Sequence, residues 1–226
     1  MKKKMISLAL ALVMCMTLTI PAFASLETTD FTSQELQEIN ITNKKIENYL
    51  ADRITLRMID QGSLPMTVIQ QENGYYCGPA TCCMVANTMG LGSYSQSQMA
   101  SIIGTTRDGT SSSGIRSGMN SLFSQAGKSQ RYQLTNTAYS SIASGIIYSI
   151  NAGLPLILSV KQMPLYTSSG HFITVCAYRS GFAGSSSVNE ATICDPHPTY
   201  YGKYTYNISD LENACNSNAG NFLRIA

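Results

Sequence analysis

Charge is scarce in this chain. Asp, Glu, Lys and Arg make up 12% of its 226 residues, and the formal net charge is +2. Beyond Lys2-Lys3-Lys4 there is no cluster of Lys or Arg. Nothing therefore supplies the counter-charge that a phosphate backbone demands, and no nucleic-acid partner is expected. Histidine is scarcer still, with His171 and His197 the only two. With so few imidazoles, and cysteines at spacings unlike those of zinc sites, no metal ion or other cofactor is expected. Long apolar runs are missing after the N-terminus. The stretch 142–160 is broken by Ser144, Gly145, Asn151, Gly153 and Pro155, which suits a buried helix followed by a strand and not a membrane span. Seven cysteines are too few for a disulfide-dense scaffold.

What is present starts with a secretory signal. Lys2-Lys3-Lys4, an apolar run over 5–20 and Pro21-Ala22-Phe23-Ala24 form its three parts, with cleavage expected after Ala24. Residues 1–24 are thus a signal peptide, and the mature chain is expected to be extracellular, with no stable membrane association. Cys15 leaves with the signal. Of the other six cysteines, Cys82 and Cys83 suit a helix core and Cys176 a buried strand, while Cys194 with Cys215 is a candidate disulfide.

Residues 25–65 read as an N-terminal helical segment. Thr32-Ser33-Gln34-Glu35 fits a capping box, and Leu36, Ile39, Ile46, Tyr49, Leu50, Ile54 and Met58 recur at mostly helical spacing, with Asn43 spoiling one turn. Two readings stay open: a propeptide that covers the active site until removed, or a helix packed permanently on the domain. Gln61-Gly62-Ser63-Leu64-Pro65 reads as a linker into a main domain of 66–226. The first half of that domain is expected to be helical: 79–89, a helix capped by Ser95 and Gln98, one marked by Ile115, Met119, Leu122 and Phe123, and 138–151. The second half is expected to be strands, over 154–160, 172–178, 188–194 and 200–208, with a turn region at 180–186. Gly127-Lys128-Ser129 is no phosphate loop, because the first glycine that motif needs falls at Leu122.

The chemistry concentrates around one thiol. Gln71 stands six residues before Cys77, which opens the run Cys77-Gly78-Pro79-Ala80. Gly78-Pro79 before an apolar-periodic stretch reads as a helix start, which puts the thiol at the positive end of the helix dipole and favours thiolate. Far downstream, Gly170-His171-Phe172 supplies an imidazole at the head of a strand-like run, and Asp195-Pro196 a carboxylate at the end of another. These are the parts of a nucleophilic thiol site. Gln70 is the oxyanion donor in place of Gln71 if the register is off by one, and His197 is the only rival to His171 as base.

The ordered blocks Gln71, Cys77-Gly78-Pro79-Ala80, Gly170-His171-Phe172 and Asp195-Pro196 resemble those of cysteine peptidase family thirty-nine, whose founding members cut bacteriocin leaders after a double glycine. The resemblance covers roughly 66–226. It implies an α+β, papain-like fold, with a helical half carrying the cysteine and an antiparallel sheet carrying the histidine and aspartate. It also implies roles. Cys77 attacks a carbonyl carbon, His171 is general base and acid, and Asp195 orients the imidazole. Gln71 joins the Cys77 N–H in the oxyanion hole, at roughly 3 kcal/mol per donor. The implied activity is hydrolysis of peptide bonds in a peptide or protein substrate. The leader-cutting members are fused to a membrane transporter and act on the cytoplasmic side, so cleavage after Gly-Gly does not carry over to a chain with an export signal. Three alternatives stay open: a cell-wall peptide amidase, an acyl-transferase of the kind phytochelatin synthases resemble, and a non-catalytic papain-fold binding module.

Overall fold

Six consecutive side chains, His171 to Cys176, are buried, so the strand that carries them must be covered on both faces. The computed structural model describes residues 30–54, 61–162, 169–180 and 189–226. The expected signal peptide, Arg57 and Met58 of the N-terminal helix, Val188 and most of the 180–186 turn lie outside the described residues.

In chain order the elements are α1 (Ser33–Ile54), β1 (Gln61–Ser63), α2 (Cys77–Met89), α3 (Gln96–Ile103), α4 (Ser112–Gln125), β2 (Tyr132–Asn136), α5 (Ile142–Asn151), β3 (Leu156–Val160), β4 (His171–Arg179), β5 (Glu190–Asp195), β6 (Gly202–Asn207), α6 (Ile208–Asn216) and β7 (Asn221–Ile225). The strands form one antiparallel sheet in the order β2-β7-β3-β4-β5-β6, with β1 paired to the far end of β4.

Alternation along the strands divides the core into two layers. Ile157, Phe172, Cys176, Cys194 and Leu223 face α2, α3 and α4. Leu156, Leu158, Val160, Ile173, Val175, Ile193 and Phe222 face α1, α5 and α6. A β-bulge between Val175 and Ala177 inserts one residue into β4, and past it Tyr178 returns to the same layer as Ile173 and Val175. The helical first half and the antiparallel second half expected from the sequence are both present.

The helix α1 starts at the expected box: Thr32 Oγ1 accepts from the Glu35 N–H at 3.2 Å, and Glu35 Oε2 accepts from the Thr32 N–H at 3.0 Å. Ile39, Ile46 and Leu50 are buried, and Ile46 and Leu50 pack with α5 on the sheet face away from α2. Asn43, which breaks the apolar pattern, is a polar anchor: its side chain donates to the Tyr139 carbonyl at 2.8 Å and accepts from Ser140 Oγ at 3.1 Å. Arg224, buried near the end of β7, donates to Gln133 Oε1 at 3.1 Å and to the Ile39 carbonyl at 3.4 Å. The described part of α1 is therefore packed on the domain, with Ile46 and Leu50 in the layer away from α2.

Several expectations are corrected. Residues 61–63 are a strand and not a linker, because Gln61, Gly62 and Ser63 pair with Arg179, Tyr178 and Ala177. The helix expected over 138–151 begins at Ile142, where Ser141 Oγ accepts from the Ser144 N–H. Cys194 and Cys215 do not face each other. They sit in different layers, and the neighbour of Cys194 is Cys176, with the sulfurs 3.4 Å apart and unbonded.

Candidate active site

The helix α2 begins at Cys77 itself, two residues earlier than expected, and its N-cap residue Tyr76 makes no side-chain capping hydrogen bond. The first N–H groups of the helix thus keep their positive end for the thiol. Gly78 is required at the next position. A Cβ there would lie 2.4 Å from Thr110 Oγ1 and 2.7 Å from Thr110 Cβ.

His171 is the first residue of β4 and Asp195 the last of its antiparallel neighbour β5, so the ladder brings ring and carboxylate to one end of the sheet. His171 Nε2 and Asp195 Oδ1 are 2.8 Å apart. That leaves Nδ1 to meet Cys77, with which His171 also shares a hydrogen bond. The Phe172 and Gly78 N–H groups donate to the same sulfur. All three side chains are buried.

Electrostatics favour the ion pair. Burial works against a thiolate at Cys77, but the hydrogen bond and charge of His171, with the two backbone donors, outweigh it and hold the thiol below its usual range. Burial also works against the imidazolium, yet the hydrogen bonds to Asp195 and Cys77 outweigh it and push His171 up to about 9. The other helix thiols differ. Burial raises Cys82, and Cys83 is pushed up to about 11, again by burial. Only the thiol at the helix tip has an imidazole partner among those three.

Gln71 reaches the site through its backbone, where its N–H donates to the Pro196 carbonyl at 2.8 Å, beside Asp195. Its amide Nε2 donates to the Asn73 carbonyl at 2.6 Å, and Oε1 is buried without a hydrogen-bond partner among the described residues. One N–H of the amide thus remains for another acceptor. Gln70 points elsewhere, to the Pro198 carbonyl. His197 lies in the expected loop beside the cleft, and it has a part that the sequence did not suggest. Its backbone N–H donates to Asp195 Oδ1 at 2.9 Å, and its ring stacks on Tyr200 with centroids 5.1 Å apart. Burial and the neighbouring His171 lower its own pKa, which favours the neutral ring. Thr110 was also missed, although the glycine after Cys77 hinted at a close neighbour.

The sequence model of the Peptidase_C39 like family matches residues 63–221. The chain belongs to that family. It is a family of cysteine peptidases, and the α+β papain-like fold described above is its fold. Among solved structures, the chain is similar to a double glycine motif protease from an AMS/PCAT transporter in complex with its leader peptide. Identity is 16% and the TM-score 0.49, over 73% of this chain and 93% of that one. It is also similar to the peptidase domain of Streptococcus ComA, a bifunctional ABC transporter of a quorum-sensing pathway, at 20% identity and TM-score 0.49, over 70% of this chain and 96% of that one. No curated protein matches the chain. In this C39-like chain the thiol, the imidazole and the carboxylate of the family's ordered blocks meet at one end of one sheet.

Proposed function

We propose that the protein is an exported cysteine peptidase that hydrolyses peptide bonds through Cys77, His171 and Asp195. One observation carries the reading: His171 bridges the Cys77 sulfur and Asp195 Oδ1, with the thiol lowered and the imidazole raised. The Cys77 thiolate adds to the scissile carbonyl, and the oxyanion is taken up by N–H donors at the start of α2 with the free amide N–H of Gln71. His171 gives its proton to the departing amine, and a thioester remains on Cys77. Water then attacks the thioester. His171 takes the water's proton, the acid product leaves and the thiolate is restored. Asp195 keeps Nε2 protonated and the ring aimed at sulfur throughout. The pattern of residues 1–24 supports export, and the N-terminus of the exported protein is expected to be Ser25.

The test is labelling with an activated peptidyl ketone. Modification is expected at Cys77 and should fall by at least about a hundredfold in His171→Ala, the scale of a lost general base, while circular dichroism stays native. Labelling spread equally over Cys82 and Cys176 would show that Cys77 has no special activation.

A further inference from the structure

The loop between α3 and α4 packs Thr110 against Gly78 in the first turn of α2 and borders an open cavity of about 210 Å³. Two of its lining residues adjoin the dyad's neighbours. Thr110 is packed against Gly78, the residue after the thiol, and Phe172 follows His171 and donates its N–H to the Cys77 sulfur. A peptide whose carbonyl sits at that sulfur therefore has a neighbouring side chain within reach of the opening.

The lining is polar to a degree that a core cavity is not. Thr110, Ser112, Ser159 and Asn218 all border it and all are buried, and Asn218 Nδ2 donates to Ser159 Oγ at 2.7 Å. An aliphatic guest would desolvate these hydroxyls and amides without replacing their water. Phe172 is the one large apolar wall among the described residues. Among the described residues, the one charged group in the lining is Asp108, exposed at the rim, and no Lys or Arg borders the cavity. The wall is also preformed. Thr106 and Gly109 exchange two backbone hydrogen bonds of 2.9 and 3.2 Å, Thr105 and Thr110 join hydroxyls at 2.7 Å, and Gly109 supplies a φ of 105° that closes the turn.

We infer that this cavity is the subsite that selects the substrate, and that it takes a cationic, hydrogen-bond-donating side chain, lysine or arginine, close to the bond being cut. The stem runs past Phe172 and the head reaches the Asp108 carboxylate, with hydroxyl and amide oxygens accepting its remaining protons. The inference rests on the peptidase reading above.

The experiment is digestion of a mixed-sequence peptide library by the mature protein, with product ends read by mass spectrometry. Lysine or arginine should be enriched at one fixed position within roughly two residues of the cut, since an extended chain advances ~3.3 Å per residue. For matched peptides with Lys, Gln or Leu at that position, kcat/KM should rank in that order. Asp108→Asn should lower the Lys-to-Gln ratio roughly fivefold, the scale of an exposed ion pair, and Asp108→Lys should invert it. Asp108 is exposed, so both variants are expected to fold. Cleavage with Leu equal to Lys, or a ratio that neither variant moves, overturns the subsite and leaves the peptidase standing. A folded protein that cuts no peptide overturns both.

Discussion

Thr110 fills the space that a side chain at position 78 would need. Its Oγ1 would lie 2.4 Å from a Cβ there. Gly78→Ala is therefore expected to push apart the first turn of α2 and the α3–α4 loop, at a cost of about 1–3 kcal/mol. Because the displaced turn carries Cys77, the labelling rate should fall by more than tenfold, the scale on which misplaced reacting groups lose rate. Thr110→Gly in the Gly78→Ala background, which removes the Cβ 2.7 Å away as well as the hydroxyl, should recover part of both losses, and Thr110→Ala, which keeps that Cβ, should recover less. A double-mutant cycle by thermal melts and probe labelling measures this, and strict additivity would mean that the contact does not set the geometry.

The pH profile follows from opposite shifts on two neighbours. Below about pH 9 His171 keeps its proton and can serve as acid, and as pH rises through that value the proton is lost. As pH falls, the Cys77 thiolate gains a proton, at a pH below the ordinary thiol value because its folded pKa is lowered. The labelling rate should be bell-shaped with its basic limb near pH 9. The Asp195 hydrogen bond helps to raise His171, so Asp195→Asn should move that limb to lower pH. The stabilising part of the same shift is complete below the ordinary histidine value and is lost as pH rises through about 9. A basic limb in the same place in both proteins would separate Asp195 from the imidazole.

Removal of α1 should destabilise the protein without activating it. Ile46 and Leu50 are packed against α5, on the sheet face away from the thiol. Ile46→Ala should cost about 2–5 kcal/mol, read as a drop in Tm of about 2–4 °C per kcal/mol, with the labelling rate of Cys77 unchanged. A chain starting at Met66 that labels faster than one starting at Ser25 would decide for the propeptide reading instead.

Cys176 and Cys194 should be the first pair to cross-link. Their sulfurs are 3.4 Å apart across β4 and β5, whereas Cys215 donates to the Asn221 carbonyl in the other layer. With glutathione disulfide as oxidant, two thiols become one disulfide and two glutathione thiols are released. Peptide mapping of the oxidised protein should show 176 joined to 194. A 194–215 product would contradict the layer assignment.

The parts of the fold that a local pattern specifies were legible in the sequence. The boxes at Thr32 and Ser95 act within one turn, and the apolar runs of β3 and β4 can only be buried strands. The missed elements depend on distant partners. Residues 61–63 become a strand only because Arg179, Tyr178 and Ala177 offer an edge. Arg224 disguises β7, since a cation in a buried strand makes sense only beside Gln133 and the Ile39 carbonyl. In the site, Cys77, His171 and Asp195 were readable from residue type and order. The hold that the His197 backbone has on Asp195, and the grip of Asn73 on the Gln71 amide, lie in backbone geometry that side-chain identity does not announce.

The extra residue at Cys176 also governs how relatives of this chain should be compared. Five consecutive pairs, from Leu156–Val175 to Val160–His171, lock the head of β4 in place, so a deletion at 176 would leave the imidazole undisturbed. The change would fall downstream, where Tyr178 would swap sides and lose the hydroxyl contact it receives from Asn151. An alignment built on simple odd–even alternation will therefore misassign the faces of Ala177, Tyr178 and Arg179. Grafts that exchange the tail of this strand need the same offset, or they will arrive inside out.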